Sequence, residues 1–110
     1  MKDDRAYLQH ILAAIERLEQ YTAPGYDAFL EDELRQDGVI RQLEIMGEAT
    51  KRLSPSIRSK HPDIPWRRIA GLRDVLIHQY MGIDLNVTWE AATSDAQKLK
   101  QAILDLHHET

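Results

Sequence analysis

The chain has no cysteine, which excludes disulfides, thiolate metal sites and a cysteine nucleophile, so any chemistry rests on oxygen and nitrogen groups. Nor does it have a run approaching the roughly 20 apolar residues of a membrane span. Met1-Lys2-Asp3-Asp4-Arg5 opens directly into a charged amphipathic pattern, without the apolar core of a signal peptide. A cytoplasmic protein with no membrane contact is therefore expected. Strand-like alternation of useful length, internal repeats, low-complexity tracts and linkers are all missing. The 110 residues suit about one domain with a modest core, and a single helical domain over 1–110 is expected.

What is present is helical period almost throughout. Tyr7, Ile11, Ala14, Leu18 and Tyr21 step by three or four, with Leu8 and Ile15 widening the stripe, so residues 3–21 read as an amphipathic helix ended by Thr22-Ala23-Pro24-Gly25. Asp27 is placed to cap a short helical piece leading into a longer helix along Val39, Leu43, Met46, Ala49 and Leu53. Within it, Gly47 is read as a mark of close approach by a neighbouring helix. Ser54-Pro55 supplies a capping hydroxyl followed by proline at the first helical position, and the helix so opened must stop before Pro62. Pro65-Trp66 starts another, with Trp66, Ile69, Leu72 and Leu76 as its buried face and a break at Met81-Gly82. Asp84 then caps a final helix in which Leu85, Trp89, Ala92, Ala96, Leu99, Ile103 and Leu106 keep regular heptad spacing. The pattern predicts one all-α bundle of roughly five helices.

Charge is unevenly spread. The segment Lys51 to Arg73 holds seven cations (Lys51, Arg52, Arg58, Lys60, Arg67, Arg68, Arg73) against Asp63 alone, a net +6 in a chain of net charge −4. Such a segment suits a polyanion, although charged faces of small helical proteins are also simply solubilising. Arg58, Lys60, Arg67 and Arg68 are the candidates for contact with a nucleic acid or with an acidic partner surface. The segment runs into the octapeptide Arg73-Asp74-Val75-Leu76-Ile77-His78-Gln79-Tyr80, which puts a cation, an acid/base and a phenol within two turns of a mostly apolar helix. On a straight helix Arg73 and Tyr80 lie only ~20° apart, and Asp74 and His78 ~40° apart. Arg73 and His78 are ~140° apart, so they share one phosphate only if the helix bends or a second copy contributes. The plain reading is a dipole-complementing histidine beside solvated charge. His10, His61, His107 and His108 have no partners at metal-binding spacing and read as structural or terminal, so no metal is expected. Trp66 and Trp89 read as core anchors, and Glu44 and Glu48 as surface charges balanced by Lys51 and Arg52.

Arg73-x4-His78-x-Tyr80 resembles the signature of HEPN-domain toxins of the HepT type. The likeness extends along the chain in ordered blocks: Leu43-Glu44-Ile45-Met46-Gly47-Glu48-Ala49 followed by Leu53-Ser54, Ile64-Pro65-Trp66, Ile69-Ala70-Gly71-Leu72-Arg73-Asp74, and Asp84 to Trp89. The resemblance implies a four- to five-helix, up-and-down HEPN bundle that homodimerises. It implies a toxin of a type VII-like toxin–antitoxin pair that cleaves RNA, with tRNA or mRNA the natural substrates, and needs neither metal nor cofactor. It also implies a partner, a minimal nucleotidyltransferase antitoxin that assembles with the toxin and transfers AMP onto Tyr80. Arg73 and His78 are then the expected catalytic pair. Asp74 falls within the family's Asn-or-Asp pattern and is expected either to orient His78 or to salt-bridge a neighbouring cation. The competing readings are a non-catalytic substrate-binding or scaffolding subunit of a nucleotidyltransferase, and a plain helical dimerisation module.

Overall fold

The computed structural model describes residues 4–77 and 84–109, with side chains there except at 73, 75, 77 and 107–109. The described residues are all-α, with no strand among them, as the apolar period predicts. The first helix, α1 (Asp4–Thr22), buries Leu8, Ile11, Ala14, Ile15 and Leu18, while Tyr7 and Tyr21 flank the seam half-buried. A phenol at the seam's edge keeps its hydroxyl within reach of water while the ring packs inward. Thr22 Oγ1 donates back to the Leu18 carbonyl at 2.8 Å. Gly25 then turns the chain with φ of 104°, a left-handed value that favours glycine.

The helix α2 (Tyr26–Glu31) follows, and α3 (Glu33–Lys51) begins one residue later. The expected cap at Asp27 is corrected: Asp27 lies inside the first turn of α2, Gly25 holds the capping position of that helix, and Asp32 caps α3. Asp32 holds the extended backbone that a capping position requires, and its Oδ1 accepts from Arg35 N at 3.2 Å. Helices α1 and α3 run antiparallel. At one end Arg35 Nη1 donates to the Tyr21 carbonyl at 2.9 Å, and at the other the Asp4 carboxylate accepts from Ser54 N at 3.0 Å and Ser54 Oγ at 2.7 Å. Ser54 precedes α4 (Pro55–Ser59) as expected, with Pro55 at its start. Its hydroxyl is given to Asp4 rather than to the helix it opens.

The helix expected from Pro65 onward is two: α5 (Trp66–Ala70) and α6 (Leu72–Ile77), separated by Gly71. Ile69, Leu72 and Leu76 are buried as predicted, and Trp66 is half-buried with its indole N–H on the His61 carbonyl at 2.8 Å. The expected break at Met81-Gly82 lies outside the described residues. Asp84 caps α7 (Leu85–Glu90), its Oδ1 accepting from Asn86 N at 3.0 Å and Val87 N at 3.2 Å. Helical dihedrals then continue through a π-helical turn (Ala91–Asp95) into α8 (Ala96–Glu109), so residues 85–109 form one rod with a wider turn inside it. The heptad spacing gave no sign of that turn. Ala92, Ala96, Leu99, Ile103 and Leu106 are buried along the predicted seam, while Leu85 and Trp89 pack half-buried at its start. One connected apolar cluster joins α1, α3, the α5–α6 corner and the rod. No helix of the described residues is long and apolar enough to cross a membrane.

One ion pair ties α1 to the rod. Lys100 Nζ lies 2.9 Å from Glu19 Oε2, which also accepts from Gln97 Nε2 at 2.9 Å. These contacts, the lysine's hydrogen bond first and the glutamine's next, hold the Glu19 carboxyl below its ordinary 4.5. A lowered pKa stabilises the fold above the unfolded value, and that contribution disappears as pH falls through the folded value. Both side chains are more than a third open to water (35% and 37%), so screening limits the pair to about 0.5 kcal/mol. Lys100→Gln is accordingly expected to melt slightly below wild type at pH 7, with the gap closing as pH falls through the lowered folded-state value of Glu19. A gap that stays constant through acid titration in calorimetric scans would contradict this.

Candidate functional site

The octapeptide begins on a short helix whose placement is set before its reactive groups appear. On one side α5 is pressed against α3: a Cβ added at Gly47 would stand 2.8 Å from the Ile69 carbonyl oxygen and 3.7 Å from Leu72 Cβ. The reading of Gly47 as a close-approach residue is thus borne out, and the approaching atoms are backbone. On the other side, Arg68 of α5 reaches the rod and pairs with Asp95 at 2.5 Å. After Gly71 the chain re-enters a helix, with Arg73 at its second position and Asp74 at its third. Asp74 is exposed in the first turn, where a carboxylate complements the helix dipole. No hydrogen bond or ion pair among the described residues involves it. His78 and Tyr80 lie outside the described residues, as does the Arg73 side chain.

The basic segment divides into cations with partners and cations facing water. Arg52 pairs with Glu48 at 3.2 Å, which bears out the reading of Glu48 as a balanced surface charge. Lys60 and Arg67 are exposed, and Arg58 is half-buried with its Nε enclosed. Arg68, a candidate for contact with RNA or with an acidic partner surface, is also exposed, and its guanidinium pairs with a carboxylate of the protein's own rod. Asp95 is the only charged side chain among the buried described residues. Sequence reasoning passed over it. The signal lay in the stripe Thr88, Ala92, Asp95, Leu99, where a carboxylate occupies an inward position of a helix that is otherwise apolar or small there.

Two clefts among the described residues lie elsewhere. One of about 390 Å³ runs between α1 and α3, with Ile45 and Ala49 among its lining and His10, Arg41, Glu44, Glu48 and Arg52 contributing both signs of charge. Another, of about 190 Å³, is bordered by His61, Asp63, Lys98 and Asp105. Neither includes Arg73 or Asp74 in its lining. Among the described residues no three histidine, aspartate or glutamate side chains gather as a metal-binding group.

A family model described as Ribonuclease HepT-like matches residues 11–106. The chain is 46% identical over 109 residues to a gamma-glutamylcyclotransferase and putative RNase of Methanocaldococcus jannaschii, an overlap of 98% of this chain and 49% of that protein. It thus spans about half the length of that relative. With a putative RNase of Caldanaerobacter subterraneus subsp. tengcongensis it shares 37% identity over 107 residues, 96% of each chain. With a probable ribonuclease HepT of Thermococcus cleftensis it shares 42% over 100 residues, 90% of this chain and 91% of the other. No solved structure gives a significant match. A match that begins inside α1 and ends near the close of α8 takes in the packed helices and the octapeptide together, and the chain belongs to the Ribonuclease HepT-like family.

Proposed function

We propose that the protein is a metal-independent endoribonuclease toxin, acting as a homodimer and neutralised by AMPylation of Tyr80. The observation that carries this reading is Arg73-x4-His78-x-Tyr80 beginning on α6 of a HepT-like chain. RNA cleavage without a metal needs a base for the 2′-hydroxyl, an acid for the departing 5′-oxygen and a cation for the charge that develops on phosphorus. Imidazole titrates near neutrality and serves either proton role. His78 takes the 2′-hydroxyl proton as that oxygen attacks phosphorus; His78 of the partner subunit gives a proton to the 5′-oxygen as its bond to phosphorus breaks. The products are a 2′,3′-cyclic phosphate and a free 5′-hydroxyl. The Arg73 guanidinium offers a planar fork to the phosphate oxygens and stays charged throughout. The ~140° between positions 73 and 78 on a straight helix is the reason for two copies, since facing helix ends bring both kinds of group to one cleft. Asp74 has the spacing to orient the His78 ring. Exposed Lys60 and Arg67, with Arg58, lie in the segment leading to this site and supply sequence-independent attraction for RNA phosphates.

The test is induced expression without any partner protein, with growth followed and total RNA mapped for cleavage ends. Growth arrest with 2′,3′-cyclic phosphate ends that persist in EDTA is expected. A folded, harmless protein that instead binds a nucleotidyltransferase would make the chain an accessory subunit.

Control follows from the same geometry. Tyr80 is seven residues from Arg73, ~20° from its face were the helix straight, so that AMP on the phenol would set bulk and a negative phosphodiester beside the cation that RNA needs. A cognate nucleotidyltransferase would make the transfer, with the phenol oxygen attacking the α-phosphorus of ATP and pyrophosphate leaving. Tyr80→Phe is expected to stay toxic when the nucleotidyltransferase is co-expressed, whereas wild type is silenced. Equal silencing of both would show that control does not run through this phenol.

A further inference from the structure

We infer that Asp95 is a positioning residue for the RNA-cleaving site, acting through Arg68 to fix the angle at which α6 presents Arg73; this rests on the ribonuclease reading above.

Asp95 sits at the end of the π-helical turn, with its side chain only 8% exposed, and its carboxylate is engaged by the Arg68 guanidinium, which is itself 57% exposed. A buried carboxylate without a cation is unfavourable, so the fold holds this aspartate because α5 brings Arg68 to it. The two halves of the pair sit on different elements. Arg68 is at the third position of α5, and Arg73 follows five residues later, across the single non-helical residue Gly71. Asp95 belongs to the rod, at the one place where its turn widens. Wide turns of this kind recur at functional sites, where they re-aim a side chain that a regular helix would point elsewhere.

The opposite side of α5 is already fixed. The Ile69 carbonyl and Leu72 stand against Gly47 of α3, and Ile69, Leu72 and Leu76 are buried in the core, which sets the distance of α5 and α6 from α3. The Arg68–Asp95 link adds resistance to a roll about that contact, because it joins the far side of α5 to the rod. With Gly71 between them, any roll of α5 passes into the direction of α6 and so into the position of Arg73. A displacement on the order of 1 Å at a group that must meet a phosphate oxygen is enough to slow catalysis strongly.

Asp95→Asn and Arg68→Gln are the test, each assayed for kcat and KM on a cleavable RNA beside wild type and Arg73→Ala, with melting curves and amide NMR spectra of each. Positioning predicts that both variants lower kcat about tenfold with KM nearly unchanged. It also predicts that the double variant falls no further than either single one, since they share one link. The amide resonances of residues 72–77 should move in Asp95→Asn. If Arg68 instead touches RNA directly, Arg68→Gln raises KM while Asp95→Asn, which frees the guanidinium, lowers it, and the proposal fails. It fails also if kcat in both variants stays within twofold of wild type. The spectra decide separately from activity. If wild type cleaves no RNA, the ribonuclease reading is lost on its own account, and unmoved resonances over 72–77 would still overturn the link between Asp95 and α6. The double variant, which replaces the ion pair by two amides able to hydrogen-bond, keeps both measurements available should Asp95→Asn fail to fold.

Discussion

His78→Ala is expected to slow RNA cleavage by about a thousandfold or more while leaving the fold intact, because it removes the proposed base and the proposed acid from both halves of a dimeric cleft at once. General acid–base catalysis contributes roughly 10²- to 10⁴-fold for one group, so loss of two roles in one substitution belongs at the upper part of that range. The outcome is sharpened by Arg73→Lys. Lysine keeps the charge but loses the planar fork, and partial rather than complete loss is expected if Arg73 holds two phosphate oxygens. If instead His78 is only a dipole-complementing cation at the end of its helix, His78→Ala costs stability of about 1 kcal/mol and no activity. Single-turnover cleavage beside thermal melting separates these results: a variant that melts early but cleaves at the wild-type rate refutes the catalytic role.

How much of this was legible in the sequence varies by element, and for identifiable reasons. The helices α1 and α3 were readable because their apolar residues repeat at helical spacing, and burial follows that repeat except at Tyr7 and Tyr21, which are half-buried. The cap at Asp84 was readable because a capping aspartate acts on its nearest neighbours. The same local rule misplaced the cap of α2. Asp27 is a good capping residue chemically, but the turn at Gly25 starts α2 early enough to enclose it, and Gly25 stands at the capping position. The split at Gly71 and the π turn at Ala91–Asp95 were hidden for another reason. Leu72 and Leu76 continue the buried face begun at Ile69, and the rod keeps its heptad spacing, so the apolar pattern passes through both irregularities unchanged. What lies beside them is tertiary contact, which the pattern cannot carry: the backbone of α5 against Gly47, and a carboxylate turned inward to meet Arg68. The candidate site shows the same division. Arg73, His78 and Tyr80 are singled out by their spacing, whereas the pairing of Arg68 could not be read, because the charge of a residue is visible in a sequence while its partner, 27 positions away, is not.

Gly47→Val is expected to be the most damaging single substitution in the core, lowering stability by about 2–4 kcal/mol. The milder Gly47→Ala shows why. In an open helix, replacing glycine by alanine gains roughly 1 kcal/mol from the backbone alone. Here the new Cβ would stand 2.8 Å from the Ile69 carbonyl oxygen, a backbone atom held within α5. Relief requires moving one helix from the other, and overpacking of that kind costs about 1–3 kcal/mol, so the propensity gain is outweighed and alanine is expected to destabilise as well. Gly38 in the same helix gives the comparison. Its added Cβ meets only the edge of the half-buried Tyr21 ring at 3.2 Å, and a side chain at the bundle's rim can turn aside. Gly38→Ala is therefore expected to be neutral or slightly stabilising. For a domain of this size the Gly47→Val penalty corresponds to a fall in melting temperature of about 10 °C or more. Because the displaced element is α5, Gly47→Ala should also lose cleavage activity beyond what its melting curve explains, through the same shift of α6 that links Arg68 to Arg73. If Gly47→Ala melts above wild type, the close approach of α5 to α3 is not a constraint on this fold, and the account of how α6 is held must be abandoned with it.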